Sequence, residues 1–160
     1  MNNGINAWSR CKSSIEIKSP ILEVGCGNGR LCELLSKQGY DICGIDITTF
    51  NYSRIGYKYI AMDITKLWPF KDNQFKLALS FDVAEHIEEY DLDIMLNEMC
   101  RVSNQRLLKI AHGASKYRPI QLHVTQRSKQ WWIDKLQCTT ESEWKIIDTI
   151  KQSTIYWSKI

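Results

Sequence analysis

The chain has 160 residues, of which 44% are hydrophobic and 24% charged, and its formal net charge is +3. This length fits a single domain, because domains commonly contain ~100–200 residues. No apolar run approaches the ~20 residues that a membrane span needs, and the N-terminus lacks the apolar stretch of a signal peptide. We therefore expect a cytoplasmic protein without membrane contacts. The small net charge does not by itself indicate a nucleic-acid partner.

Six cysteines raise the question of disulfides or zinc. They contain no C-x-x-C pair and form no cysteine–histidine cluster with the spacing of zinc ligands. Several lie within apolar runs, where a free cysteine behaves as a small hydrophobic residue. We expect reduced thiols and no metal site. The six are Cys11, Cys26, Cys32, Cys43, Cys100 and Cys138.

Short apolar runs alternate with helical patterns along the chain, which predicts a parallel sheet covered by helices. Strands are predicted at 20–25, 41–46, 57–63, 75–81 and 105–111, followed by two closing strands at 144–150 and 154–160 that are placed to form a hairpin. Apolar residues at helical spacing predict helices at 30–38 and 89–102, and Ser128 can cap a further helix that runs through Leu136.

A glycine-rich turn, EVGCGNG over 23–29, stands between the first predicted strand and the first predicted helix. Glycine allows tight turns and lets a ligand approach the backbone, and the helix N-terminus presents free N–H groups. Asp46 ends the next strand, about 20 residues further on, where a carboxylate can accept hydrogen bonds from both hydroxyls of a ribose. The turn and the acid together predict a site for a ribose-bearing ligand.

The run ILEVGCGNGR resembles the first motif of class I S-adenosylmethionine-dependent methyltransferases, which favour E/D-x-G-x-G-x-G. Dehydrogenases use G-x-G-x-x-G, which would need glycine where Arg30 stands. The segments GIDI, MDI at 62–64, FDVAEHI at 81–87 and HVT…WW at 123–132 resemble later parts of the same family. The resemblance implies a methyltransferase with a Rossmann-like, doubly wound, mostly parallel seven-stranded sheet, an antiparallel last strand and helices on both faces.

The resemblance also implies that S-adenosylmethionine is the cofactor and S-adenosylhomocysteine the product. Glu23 and the glycine backbone would surround the methionine portion, and Asp46 would hold the ribose hydroxyls. Ile47 would cover the adenine ring, and Asp63 would accept from its amino group. The expected cofactor-binding residues are Glu23, Gly25, Cys26, Gly27, Asn28, Gly29, Asp46, Ile47, Asp63, Ile64, Phe81 and Asp82, the last two facing the sulfonium.

Three histidines are candidates for a general base, because histidine titrates in the useful pH range. His86 follows the fourth predicted strand, His112 follows the fifth, and His123 lies in the loop beyond it. Each has an equally simple structural interpretation. His86 can shape its loop, His112 can be a solvated turn residue, and His123 can stabilise the loop at Thr125.

The acceptor is constrained mainly by absent motifs. The chain has no D/N-P-P-Y/F stretch and no Pro-Cys dipeptide, which DNA-methylating enzymes of this family use, and its basic residues are scattered. We therefore expect no nucleic-acid partner, but methyl transfer to an oxygen or nitrogen of a small-molecule or carrier-attached acceptor. The alternative is a non-catalytic S-adenosylmethionine-binding accessory or sensor domain.

We interpret residues 1–160 as one methyltransferase domain. Residues 1–19 are an N-terminal segment or lid, 20–110 the cofactor-binding half, and 111–160 a substrate-side loop, helix and closing strands. Few residues precede the first strand, so the acceptor site is expected to be open, or to be completed by a homodimer or a partner subunit.

Overall fold

A computed structural model of the chain describes residues 3–48, 56–140, 142–150 and 152–160. The described helices are α1 (Asn3–Cys11), α2 (Arg30–Lys37), α3 (Leu92–Val102) and α4 (Lys129–Thr140), with short 3-10 helices at Lys12–Ser14 and Ala84–His86. The strands are β1 (Ile21–Val24), β2 (Ile42–Asp46), β3 (Lys58–Ala61), β4 (Leu77–Phe81), β5 (Gln105–Ala111), β6 (Lys116–Tyr117), β7 (Ile120–Gln121), β8 (Trp144–Ile150) and β9 (Ser153–Lys159).

Seven of these strands form one sheet in the order β3-β2-β1-β4-β5-β9-β8. Strands β1 to β5 are parallel, whereas β9 is antiparallel to both of its neighbours. The predicted sheet and its antiparallel last strand are confirmed. Because β1 pairs with both β2 and β4, the direction of winding reverses there, and a crevice opens beyond the carboxyl ends of these strands.

Helices cover both faces of the sheet, as predicted, because side chains alternate between the faces along each strand. On one face, Leu22 and Val24 pack in a core cluster with residues of α3 and α4. On the other face, Ile21 packs in a second cluster with residues of α1 and α2. The strand β1, beyond whose end the crevice opens, is thus buried on both of its faces.

Three features of the fold go beyond the sequence prediction or differ from it. The N-terminal segment contains the helix α1, which buries Trp8 in the second core cluster. The helix predicted at 89–102 begins at Leu92, because Glu88–Asp91 forms a hydrogen-bonded turn before it. In addition, β6 and β7 form a small hairpin within the loop after β5.

All six cysteines are free, as predicted, and Cys11, Cys26, Cys32 and Cys43 are buried. Among the helices that the structure describes, none has both the length and the apolar character needed to cross a bilayer.

Candidate active site

Three cavities lie along the crevice, and Asp82 lines all of them. We name them after the sequence-based expectations for their lining residues: the methionine-side cleft, the adenosine-side cleft and the acceptor-side cleft. The methionine-side cleft has a volume of about 220 Å³ and lies between α1 and the glycine turn. The adenosine-side cleft, of about 630 Å³, lies beyond the end of β2. The acceptor-side cleft, of about 1180 Å³, is bounded by α1, the end of β5 and the loop after it.

The glycine turn forms the wall between the methionine-side and adenosine-side clefts, and it adopts backbone angles that favour glycine. The φ angles are 70° at Gly25, 53° at Gly27 and 69° at Gly29. A Cβ atom at Gly25 would lie 2.4 Å from a methyl carbon of Val83, whereas a Cβ at Gly27 would meet nothing within 4 Å. Gly25 is therefore needed for packing, while Gly27 leaves its backbone open to the clefts. The turn fits a ligand that lies directly against main chain.

Asp46 joins the glycine turn to the end of β2. Its Oδ2 accepts a hydrogen bond from the Gly27 N–H at 2.7 Å, and its Oδ1 accepts one from the Thr48 N–H at 2.9 Å. Each carboxylate oxygen has a second lone pair, so both can still accept from a ligand hydroxyl. The next residue, Ile47, leaves 72% of its surface exposed at the same cleft. An acceptor pair beside an uncovered apolar side chain fits a ribose joined to a base.

Asp63 lies on the far wall of the adenosine-side cleft, next to Ile64. Its Oδ1 accepts hydrogen bonds from the backbone N–H and the hydroxyl of Thr65, at 2.9 and 2.7 Å. These bonds lower the pKa of the Asp63 carboxyl, because they stabilise its charged form. The carboxylate is therefore held as an acceptor at this wall.

Glu23 lines the methionine-side cleft and is 6% exposed. Burial raises the pKa of its carboxyl to about 7, although a hydrogen bond from the Cys32 thiol to Oε2, at 2.8 Å, acts in the opposite direction. The helix α1 begins over this carboxyl, since a Cβ at Gly4 would lie 3.8 Å from Glu23 Oε1. A buried carboxylate beside an open cleft favours a cationic group of the ligand.

Asp82 follows β4 at the point where the three clefts meet. Its φ angle is 58°, a left-handed conformation that is uncommon outside glycine, and its N–H donates to the Lys109 carbonyl at 2.9 Å. Its Oδ1 forms an ion pair with Lys109 Nζ. Lysine 109 belongs to β5, so this pair holds the residue after β4 against the neighbouring strand.

The three candidate histidines separate into two groups. His86 and His123 stack edge to face with ring centroids 4.8 Å apart, and both line the acceptor-side cleft. His112 instead directs Nε2 to the Thr154 hydroxyl at 2.8 Å and does not line that cleft. Partial burial lowers the pKa of His112, which favours its neutral form. The structure therefore brings two of the three predicted histidines together.

The profile of the methyltransferase domain family matches residues 22–106, which is more than half of the chain. This chain belongs to the S-adenosylmethionine-dependent methyltransferases. The match covers the glycine turn, Asp46, Asp63 and Asp82, which line the two smaller clefts.

Part of the chain is also similar in sequence to a curated methyltransferase. The ubiquinone biosynthesis O-methyltransferase of Rickettsia bellii is 30% identical over 91 residues, covering 51% of this chain and 37% of that protein. The chain thus spans little more than a third of the length of this curated relative.

Solved structures share the fold at low sequence identity. The Burkholderia thailandensis 1,6-didemethyltoxoflavin-N1-methyltransferase, with bound 1,6-didemethyltoxoflavin and S-adenosylhomocysteine, matches with a TM-score of 0.72 at 13% identity, covering 99% of this chain and 78% of that one. A methyltransferase from Archaeoglobus fulgidus matches with a TM-score of 0.73 at 14% identity, covering 97% and 92%.

The two smaller clefts of the methyltransferase bring together eleven of the twelve residues expected at the cofactor. The exception is Gly29, which is the N-cap residue of α2 and does not line either cleft. Sequence analysis allowed a lid at residues 1–19 but did not predict that this segment forms the helix α1, and it missed the contribution of Lys109. An amphipathic pattern over 3–11 was the available signal for α1, whereas no local pattern marks a lysine in the middle of a buried strand.

Proposed function

We propose that this methyltransferase transfers the methyl group of S-adenosylmethionine to an oxygen or nitrogen of a small-molecule or carrier-attached acceptor. The supporting observation is the meeting of three clefts at Asp82. Two of them have walls of the right chemistry for the two ends of the cofactor, and the third shares Asp82 with both. When bound, the cofactor supplies an electrophilic methyl group on a positively charged sulfur.

In this proposal the residues of the methionine-side cleft bind and orient the methionine portion of S-adenosylmethionine. Glu23 pairs with the ammonium of the methionine portion, and the open backbone at Gly27 lies against that portion. Phe81 and Asp82 lie near the sulfonium, where the methionine-side cleft meets the acceptor-side cleft. Cys26 and Asn28 complete the methionine-side wall.

The adenosine end has its own set of contacts. Asp46 accepts from the ribose hydroxyls, the exposed side chain of Ile47 covers one face of the adenine, and Asp63 accepts from the adenine amino group with Ile64 beside it. Each of these residues lines the adenosine-side cleft. Holding donor and acceptor in line lowers the reaction barrier by up to roughly 7–11 kcal/mol in well-oriented reactions. A site of this kind therefore accelerates the reaction mainly by positioning the two reactants.

A small or carrier-attached acceptor is favoured by the acceptor-side cleft, which is large and bears a mixture of charged and apolar side chains. Arg10 and Lys109 lie at its wall, each in an ion pair with an aspartate, and Leu122 provides apolar surface. The O-methyltransferase names of the curated relatives favour oxygen, and the Burkholderia N1-methyltransferase, with a similar fold, keeps nitrogen as an alternative.

Calorimetry with S-adenosylmethionine and S-adenosylhomocysteine tests the cofactor site. Asp46→Ala should weaken binding about 100-fold, because a hydrogen bond to a charged group is worth ~1.5–3 kcal/mol and each 1.4 kcal/mol is a factor of ten. Asp41→Ala is the matched control, since Asp41 is an exposed aspartate just before the opposite end of β2, and it should bind like wild type. Equal affinity in wild type and Asp46→Ala would contradict the assignment.

A second assay tests the acceptor class by following labelled methyl groups from S-adenosylmethionine onto phenols, catechols, amines and carrier-linked forms of each. We expect transfer to one of these classes, with loss of transfer in the Asp46→Ala variant. Transfer to nucleic acid alone would overturn the acceptor class. Tight cofactor binding without transfer to any acceptor, nucleic acid included, would favour a non-catalytic binding domain.

A further inference from the structure

Three potential metal ligands converge on one wall of the acceptor-side cleft. Glu85, His86 and His123 each offer one ligand atom, and these three atoms lie within 4.8 Å of one another. All three residues line the cleft that approaches Asp82 from the acceptor side. The group combines two imidazoles with one carboxylate, which is a ligand set used by zinc and by other first-row transition metals.

Both imidazoles are held in the orientation that metal-binding histidines adopt. Nδ1 of His86 lies 2.8 Å from the Leu122 carbonyl oxygen, and Nδ1 of His123 lies 2.6 Å from the Gly113 carbonyl oxygen. A carbonyl can only accept, so each Nδ1 carries a proton, and Nε2 is the ring atom left to bind a cation. Metal-bound histidines almost always donate their other ring nitrogen to a carbonyl or carboxylate in this way.

Glu85 supplies a buried carboxylate that is only partly satisfied. The residue is fully buried, and its Oε1 accepts a hydrogen bond from the Ala111 N–H at 3.1 Å. Its Oε2 has no hydrogen-bond partner among the described residues. A buried acceptor oxygen without a donor is costly, and a bound cation would remove that cost.

The backbone fixes the two halves of the cluster against each other, although they are far apart in sequence. The Thr125 N–H donates to the Glu85 carbonyl at 3.1 Å, and the Thr125 hydroxyl donates to the Ile87 carbonyl at 2.7 Å. Together with the bond from His86 to Leu122, these contacts fasten the loop after the β6–β7 hairpin onto the 3-10 helix at Ala84–His86. The ligand positions are therefore set by hydrogen bonds and not by chance proximity of side chains.

We propose that Glu85, His86 and His123 bind one divalent first-row transition-metal cation, of which zinc is the simplest case. Imidazole ligands favour such metals over magnesium or calcium, which prefer oxygen. Ligand atoms bound to one cation at ~2.0–2.2 Å lie about 3–4 Å from one another. Side-chain movements of order 1 Å would bring the three ligand atoms to these distances. Three protein ligands would leave a coordination position for an acceptor atom, and all three residues line the acceptor-side cleft.

A cation at this place would act on the acceptor, and this role rests on the proposed methyl transfer. It would bind an acceptor hydroxyl and lower its pKa, as bound metals do for water. The hydroxyl proton leaves to solvent, and an oxygen lone pair forms the new O–C bond. The methyl carbon's bond to sulfur breaks with its electrons remaining on sulfur, which gives the methyl ether, neutral S-adenosylhomocysteine and one proton. The site thus favours oxygen acceptors with a second chelating oxygen.

The test uses protein stripped with a chelator and then titrated with Zn²⁺ by calorimetry and with Co²⁺ by absorption spectroscopy. We expect one cation per chain, with cobalt d–d bands typical of mixed nitrogen and oxygen ligands. His86→Gln and His123→Gln should each weaken binding by at least about tenfold, since even outer-sphere changes at metal sites cost ~10–100-fold. The double variant should lose the cobalt bands.

His112→Gln is the matched control, because His112 lies at the end of β5 but outside the cluster. It should bind the cation like wild type. Absence of stoichiometric binding by wild type, or binding that survives in the double variant, would overturn the site. S-adenosylhomocysteine affinity and thermal unfolding of every variant are measured in parallel. Normal cofactor binding without cation binding would refute the metal site and leave the proposed function standing.

Discussion

The adenosine-side and acceptor-side clefts meet at Asp82 but are built in different ways. The adenosine-side cleft is bounded by residues at or after the carboxyl ends of β1 to β4, including His86 and Ile87 beyond β4. Its key contacts run through main chain, such as the bond from the Gly27 N–H to Asp46. The acceptor-side cleft combines α1, the end of β5, the loop that carries His123 and the start of β9. One cleft is made by adjacent strand ends, and the other by segments distant in sequence.

This contrast explains which parts of a methyltransferase can vary. A cleft formed by strand ends inherits its shape from the sheet, so its ligand can stay constant while surface loops change. A cleft formed by separate segments depends on a few long-range contacts, such as the bond between Thr125 and Ile87. We therefore expect substitutions in the adenosine-side cleft to change stability and cofactor affinity together. Substitutions in the acceptor-side cleft should change stability while cofactor affinity stays constant.

The largest effect is expected from the glycine turn. Gly25→Ala should lower the free energy of unfolding by about 2–4 kcal/mol, because the left-handed backbone costs roughly 1–2 kcal/mol and the new methyl group overlaps Val83. Gly27→Ala carries only the backbone cost, since its Cβ would meet nothing within 4 Å. Its Cβ would instead face the ligand. Thermal unfolding and S-adenosylhomocysteine calorimetry measure the two effects.

The double variant Gly25→Ala/Val83→Ala provides the control for the steric explanation. It should recover about half of the stability lost by Gly25→Ala, because the overlap is removed while the backbone strain remains. If Gly25→Ala and Gly27→Ala proved equally stable, the close approach to Val83 would not be the reason for glycine at 25.

A smaller effect is expected from the charge of Glu23. Its pKa is about 7 in the folded chain against a usual value of 4.5, so the unfolded chain releases this proton first as the pH rises. The contribution to stability is therefore present below about pH 4.5 and is lost as the pH rises through about 7. Cofactor binding should show the opposite trend, because the ammonium pairs with the carboxylate. Affinity should rise roughly 25-fold between about pH 5.5 and about pH 7.5, in proportion to the ionised fraction of the carboxyl.

Glu23→Gln tests this directly, since it should bind the cofactor weakly and with little dependence on pH. Glu33→Gln is the control on the exposed face of α2, where Glu33 pairs with Lys37, and it should keep the wild-type slope. Glu85 also has a pKa of about 7 but lines the acceptor-side cleft, so Glu85→Gln should keep the slope too. A pH dependence that survives in Glu23→Gln would assign it to another group.

The same contrast sets how much could be predicted from the sequence. The strands around the cofactor and the residues after them were predictable, because each signal is local: a buried run, a glycine turn, an acid at a strand end. Asp46 and Asp63 both follow this rule, and both line the adenosine-side cleft. Gly29 is the exception to this rule, because it belongs to the glycine motif but is the N-cap residue of α2 and does not line either smaller cleft.

The acceptor side was less predictable because its signals are not local. Ion-pair partners such as Asp82 and Lys109 come from different strands, and nothing in the sequence marks them as a pair. The usual sequence signal for a metal site is close spacing of cysteines and histidines. Glu85, His86 and His123 do not show this signal, because their convergence depends on where the loop after β5 folds back. The adjacent pair E-H and the later H-V-T were visible, but only the fold joins them.

The smallest effect should come from Thr125, which is 3% exposed and joins the loop to Ile87. Thr125→Val keeps the side chain's shape and removes the hydrogen bond, which should cost about 1 kcal/mol and lower Tm by ~2–4 °C. Thr139→Val, at a solvent-exposed bond to Asp93, is the control and should change stability by less than ~0.5 kcal/mol. Because Thr125 positions His123, cation affinity should fall severalfold while S-adenosylhomocysteine affinity stays constant. If both affinities fell together, the two clefts would be coupled through Asp82, and their separation into a constant and a variable region would be wrong.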